Sequence, residues 1–351
     1  MRHFPEKIER LDLLERHRSF WRCEPADRPL VGVCREGTFF LQPFIELGVS
    51  DGPLTCQAVP VPHAFIQTYD EKKLASDPLD GDLFWAAKPP RAIPWMEAIL
   101  GCEVNVSSSS KTMTARPPAQ LPDLAAIDLD TNPWLNLMND FTITLAGYFG
   151  QRCPVGQTLM RGPSDMLAAL LGQDFYTGLI DHADKMKILA QQCTEIWIRV
   201  LQSQYQYIPR YQGGYVSGTS GLWAPGKLAV YQEDAGGTIS AAMYRKFFFE
   251  CDAAIATAFD YSLIHLHSAS LHILGAVLEI PKLNAVNVVV DPSGPTLEAL
   301  IPDLRRIQKA GKALHLHGDL SEQEIELVKE NLSPDGLCIW IVREENYGTI
   351  H

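Results

Sequence analysis

Two short stretches place paired imidazoles where buried strands would end: His265-Leu266-His267-Ser268 and His315-Leu316-His317. Residues two apart in a strand project to the same side, so each stretch presents both of its rings together. Imidazoles held in that way ligate metals or carry protons near neutral pH. The competing use is packing, with one ring lying under a helix and bonded to backbone, and it is the preferred reading for the 315/317 pair. His267, followed by Ser268 and a small-residue turn, is the catalytic candidate. His265 and His267 are candidate metal ligands, and His265 and His317 are candidate substrate contacts.

Gln232-Glu233-Asp234 closes another strand in the same way. A carboxylate at a strand end can bind a cation, orient a histidine or act as acid or base. Asp234 and Glu233 are therefore further catalytic candidates, with Gln232 beside them as a substrate contact. Ala235-Gly236-Gly237 follows, and glycines let backbone approach a ligand closely. Arg35, Arg161 and Glu344 stand at other strand ends as candidate substrate contacts, and Asp291 occupies a similar position. Tyr215 and Trp223 lie in the glycine-rich, aromatic stretch 213–224, the composition of a substrate-facing loop.

These residues need elements to position them. Short apolar runs at 29–34, 155–160, 228–232, 262–268, 285–290, 313–317 and 337–342 read as buried strands. Helical patterns separate them at about 165–171, 181–206 and 243–256. A further helix opens near Pro295 and stops at Gly311, and another begins with the capping-box sequence Ser321-Glu-Gln-Glu324. Alternating strands and helices indicate a parallel sheet covered on both faces. The first ~25 residues read as a charged amphipathic helix with Leu11, Leu13, Leu14 and Phe20 on its apolar side. Residues 50–130, proline-rich and carrying the polar run Ser107–Ser110, read as irregular insertions. The whole chain, 1–351, reads as one domain.

The sequence of 351 residues is 46% hydrophobic and 21% charged, with a formal net charge of −12. Such a surface disfavours nucleic acid and anionic membranes. No apolar stretch approaches the ~20 residues a spanning helix needs. The eight cysteines include no C-x-x-C pair, and no leader-like stretch precedes them, so reduced thiols in the cytoplasm are expected. No G-x-G-x-x-G follows a strand and no G-x-x-x-x-G-K-[ST] is present, which removes the common nucleotide-binding readings.

Tyr231-Gln-Glu-Asp-Ala-Gly-Gly-Thr-Ile-Ser-Ala-Ala-Met-Tyr-Arg-Lys-Phe247, followed by His265-Leu-His-Ser-Ala-Ser270, resembles the uroporphyrinogen decarboxylase superfamily, which includes corrinoid-dependent methyltransferases. Leu159-Met-Arg-Gly-Pro163 and Ile93-Pro-Trp-Met-Glu-Ala-Ile-Leu-Gly-Cys102 are similar to its methyltransferase side. The resemblance implies a (β/α)8 TIM barrel with extra N-terminal helical and loop segments. It covers residues 155–345 best.

The true decarboxylases carry an M-R-Q-A-G-R-Y signature after the first strand. Here Val33-Cys-Arg-Glu-Gly-Thr-Phe39 keeps a single arginine, Arg35, too few guanidinium groups for a polycarboxylate porphyrinogen. The family's zinc methyltransferases use His-x-Cys at a strand end and a later cysteine. Reading His267 as that histidine puts Ala269 at the cysteine position, and Cys338 falls inside the last strand, so a zinc-thiolate centre is not expected.

The resemblance implies methyl transfer between a small methylated substrate and a corrinoid (cobalamin) carried by a partner protein, with a homodimer as a further expectation. The alternatives are a cofactor-independent decarboxylase of a porphyrinogen or other carboxylate, and a non-catalytic corrinoid- or tetrapyrrole-binding protein.

Overall fold

A computed structural model describes residues 7–34, 41–66, 79–150 and 152–343. The expected sites Arg35 and Glu344 lie outside the described residues. The strands are β1 (Leu30–Cys34), β2 (Gly52–Leu54), β3 (Leu79–Gly81), β4 (Glu103–Ser107), β5 (Thr112–Arg116), β6 (Tyr215–Val216), β7 (Trp223–Ala224), β8 (Leu228–Gln232), β9 (Tyr261–His267), β10 (Ala285–Val289), β11 (Ala313–Gly318) and β12 (Leu337–Val342). The fold is mixed α/β. Its central sheet runs β3-β1-β12-β11-β10-β9-β8, with six parallel strands and β3 antiparallel at the edge.

Composition explains this sheet. Every residue of β8 is buried, and β10 and β11 are buried except at Val289 and His317, as strands covered by helices on one face and packed together on the other must be. The covering helices start where their sequences supply caps. Ser321 and Glu324 form a reciprocal capping box. Thr296 caps Leu297–Lys309, one residue past the expected Pro295, and Ser240 caps Ala241–Phe247. The helix expected over 243–256 is two helices, Ala241–Phe247 and Phe249–Ala258, broken at Phe248.

The expected strand at 155–160 is not a regular strand. Single parallel bridges join Ala87 to Val155 and Arg161 to Gln232. Between them the Gln157 side chain stands in for backbone: its Oε1 accepts from Val230 N at 3.1 Å and its Nε2 donates to Val230 O. A side-chain amide satisfies the β8 edge, so the main-chain ladder is interrupted there. The stretch 50–130 is more ordered than its composition suggests. It contains the antiparallel sheet β2-β4-β5, with the polar run at 107–110 turning between β4 and β5.

The helix Lys7–Arg22 covers the end of the sheet where the strands begin. Phe20 and Trp21 pack with Leu30, Leu228, Leu263, Ala285, Ala313 and Cys338, residues at or near the first positions of their strands. His17 is a satisfied core histidine: it accepts from Trp223 N at 3.1 Å through Nδ1, and its Nε2 meets Asp82 O at 2.9 Å. Burial brings its pKa down to about 4, so it is neutral at physiological pH. Among the described residues no helix is long and apolar enough to cross a membrane.

Candidate active site

The opposite ends of the strands carry the polar residues. Parallel register sets Gln232 beside His265 and His265 beside Asn287, and then Asn287 beside His315. One pleat further on, Val289 lies between His267 and His317, and His317 is paired with Trp340. The i, i+2 spacing of both His-Leu-His sequences therefore carries one continuous polar row, Gln232-His265-Asn287-His315, and a second row in which Val289 separates the two histidines.

Asp234, His265 and His267 converge, each offering one donor atom within 4.8 Å of the others. His267 Nε2 is 3.6 Å from Asp234 Oδ1, and the two imidazoles meet edge to face with centroids 5.1 Å apart. Each member is held by its other polar atom. His267 Nδ1–H donates to Asp291 Oδ1 at 2.7 Å. His265 Nδ1 contacts Asn287 Oδ1 at 2.5 Å. Gln232 Nε2 donates to Asp234 Oδ2, leaving Oδ1 without a hydrogen-bond partner. The free atoms of His267 and Asp234 face each other, and His265 offers a ring nitrogen to the same point.

Asp291 is the anchor of this arrangement. It accepts from Ser268 N at 2.9 Å and Ser268 Oγ at 2.7 Å as well as from His267. Burial pushes its pKa up, but the His267 and Ser268 hydrogen bonds outweigh that and hold the carboxyl below its ordinary value. It is an anion beside an imidazole. The pKa of His265 is lowered, chiefly by burial and also by the neighbouring His267, against the opposing pull of Asp234. A neutral ring with a lone pair to offer is the result.

Asp234 is steadied from below. Asp165, in the first turn of the helix Pro163–Leu171, accepts from Asp234 N at 3.2 Å and Ala235 N at 2.6 Å, and Ser164 Oγ accepts from Gly236 N at 3.0 Å. Burial, then the charge of Asp234, raises the Asp165 pKa well above the carboxylate range. Next to Asp234 opens a cavity of about 290 Å³ bounded by Glu97, Thr114, Ala115, Arg161, Asp165 and Ala169. Arg161 donates to Glu97 Oε1 at 2.7 Å. A second cavity, of about 330 Å³, lies between the helices Pro133–Phe149 and Ala183–Gln204 and is lined by none of the strand-end residues.

Several expected site residues are placed elsewhere. Glu233 is fully buried and turned toward the helix Pro163–Leu171, accepting from Ser164 N at 3.1 Å. Burial, and next the carboxyl of Asp252, raises its pKa well above normal. Tyr215 and Trp223 do not line the strand-end pocket. Tyr215 packs edge-on against Tyr205, whose hydroxyl accepts from Leu228 N at the start of β8. Trp223 is fully buried beneath the N-terminal helix, with Trp21 Nε1 donating to its carbonyl. An aromatic, glycine-rich loop is also what a tightly packed plug requires. His317 stacks on Trp340 at 4.5 Å, outside the converging group.

Two partners carry more of the site than their sequence signals suggest. Asp291 is only one strand-end acid among several by sequence. Asn287 carries no motif of its own, although a lone amide inside the apolar run 285–290 is the kind of residue a buried polar row demands.

No family model matches this sequence, and no curated protein is detectably similar to it. Among solved structures, a methyltransferase from Methanosarcina mazei is similar over 95% of this chain and 93% of that chain, with a TM-score of 0.63 and 13% sequence identity. At that identity the likeness is one of fold.

Proposed function

We propose that this protein is a methyltransferase-like enzyme on a (β/α)8 barrel, moving a methyl group between a small methylated substrate and a corrinoid presented by a partner protein. The bridges at Ala87–Val155 and Arg161–Gln232 support the barrel, since they continue the hydrogen bonding from β8 through 155–161 to the segment after β3. The resemblance of residues 93–102 and 159–163 to the methyltransferase side of the superfamily supports the chemistry, and so does the fold of a known methyltransferase. The carrying observation is the convergence of Asp234, His265 and His267 at the strand ends, where barrel enzymes keep their sites.

The donor set fits a divalent metal without a cysteine. Two imidazole nitrogens and one carboxylate oxygen are a common metal-binding set that leaves coordination positions open for substrate. The unpartnered Asp234 Oδ1 and the Asp291–His267 pair are what such a site requires, because ligand histidines are oriented and made more basic by an outer carboxylate. A bound metal would supply Lewis-acid activation of the methyl donor or acceptor. Gln232, Asn287 and Asp291 orient the three donors, Asp165 fixes the backbone that carries Asp234, and the adjoining cavity admits a small substrate.

The decarboxylase alternative gains little from this pocket. Arg161 is already paired with Glu97, and the same wall adds Asp165 and Asp234, so a polycarboxylate meets more acids than guanidinium groups. The deciding experiment is an anaerobic assay with methylcobalamin and a panel of small thiols and amines, run in both directions. Methyl transfer by the wild type and its loss in His267→Ala is the expected result. No transfer with any member, together with product from uroporphyrinogen, would replace this reading with the decarboxylase.

A further inference from the structure

Asn287 sits between two histidines, and its orientation is fixed by chemistry. One of its terminal atoms lies 2.7 Å from the backbone carbonyl oxygen of His315. A carbonyl only accepts, so that atom is the amide nitrogen. The same nitrogen lies 2.6 Å from His315 Nδ1, which must therefore be the unprotonated ring nitrogen. The other terminal atom, Oδ1, faces His265 Nδ1 at 2.5 Å. An amide oxygen also only accepts, so His265 Nδ1 carries the proton.

The row then has one consistent hydrogen pattern. His265 Nδ1–H donates to Asn287, and Asn287 donates to His315 Nδ1, leaving the His315 proton on Nε2. On the other ring the pattern leaves the lone pair on His265 Nε2, the ring nitrogen that Asn287 does not engage.

We infer that Asn287 is a positioning residue that locks His265 as the Nδ1–H tautomer, and His315 as the opposite one, so that His265 meets its neighbours with a lone pair. Only the consequence for metal binding rests on the reading of Asp234, His265 and His267 as donors. The tautomers themselves follow from the Asn287 contacts. Amide geometry reads this row in a single direction, because the His315 carbonyl forbids the flipped amide.

The test uses full-length, metal-free protein with ¹⁵N-labelled histidine at about pH 8, where ordinary imidazoles are neutral. Two-bond ¹H–¹⁵N spectra report each ring's tautomer, and His265→Gln and His315→Gln assign the signals. Opposite tautomers, with His265 protonated on Nδ1 and His315 on Nε2, are expected. His265 protonated on Nε2, or both rings in one form, overturns the assignment. In Asn287→Ala, His265 should become a mixture of tautomers and Zn²⁺ affinity should fall roughly 10–100-fold, the usual effect of losing such an outer partner. Asn287→Asp restores an acceptor and should keep His265 on Nδ1–H. An unchanged His265 tautomer in Asn287→Ala would also overturn the role given to Asn287. If the wild type binds no Zn²⁺ while the tautomers are as stated, the metal reading fails and the tautomer assignment stands.

Discussion

His267 and Asp291 are joined by a 2.7 Å hydrogen bond between Nδ1 and Oδ1, although they lie 24 residues apart on neighbouring strand ends. The bond turns the imidazole so that Nε2 faces Asp234. It also gives the ring an anionic partner, and Ser268 keeps that anion in place through two further hydrogen bonds.

Asp291→Ala should therefore weaken the site without emptying it. Metal affinity is expected to fall about 10–100-fold, with turnover falling in parallel. Asp291→Asn retains an acceptor for His267 and should lie between the two. Chelator competition measures the affinities, and equal affinity in all three proteins would remove Asp291 from the site.

Asp234→Ala removes a side chain whose free oxygen faces the histidines while its backbone stays anchored to Asp165. Turnover should fall by at least about 100-fold, the scale of losing a group that acts directly on the reacting centre. Circular dichroism and thermal midpoint should change little, because the side chain is partly exposed. Wild-type turnover in this variant would exclude Asp234 from the chemistry.

Trp223 and Tyr215 belong to the packing at the far end of the strands. Trp223→Phe should cost about 2 kcal/mol, from lost volume and the lost hydrogen bond of Nε1 to Tyr211 O. Turnover per folded molecule should be unchanged. A large loss of turnover at full stability would return this loop to the substrate pocket.

Asp252 carries a pH signature. Burial raises its pKa from 3.8 to about 7, although the hydrogen bonds of Tyr244 and its neighbours work the other way. The folded protein keeps a proton there that the unfolded chain has lost, so this residue's contribution to stability falls as pH rises through that interval. His315 acts oppositely: burial lowers its pKa to about 3, and stability from it grows as pH rises toward 6.5. Comparing Asp252→Asn with the wild type cancels the histidine. The variant's thermal midpoint should gain on the wild type between about pH 4 and pH 7, and parallel curves over that interval would contradict the raised pKa of Asp252.

The parallel sheet was legible because its strands are continuous apolar runs, and the helix starts at Ser240 and Ser321 because capping is local chemistry. The apolar run 155–160 does not form a regular strand because Gln157 satisfies the neighbouring edge with its side chain, a choice no periodicity records. The site was partly legible. Strand pleating by itself pairs His265 with His267, and a strand end exposes Asp234. Whether Glu233 or Asp234 faces the pocket depends on how the chain leaves β8, and the helix Pro163–Leu171 settles that by taking Glu233 into the core. Asn287 and Asp291 matter through register between strands, which a single chain's pattern does not specify.

Metal binding by the purified protein tests the central claim most directly. Titration with Co²⁺ in place of Zn²⁺ should show one bound ion per chain, with nitrogen and oxygen ligands and no sulfur-to-metal charge-transfer band. Asp234→Ala and His265→Ala should each weaken that binding. No bound ion, a sulfur-ligated one, or binding unaffected by both substitutions would contradict a metal centre built from Asp234, His265 and His267.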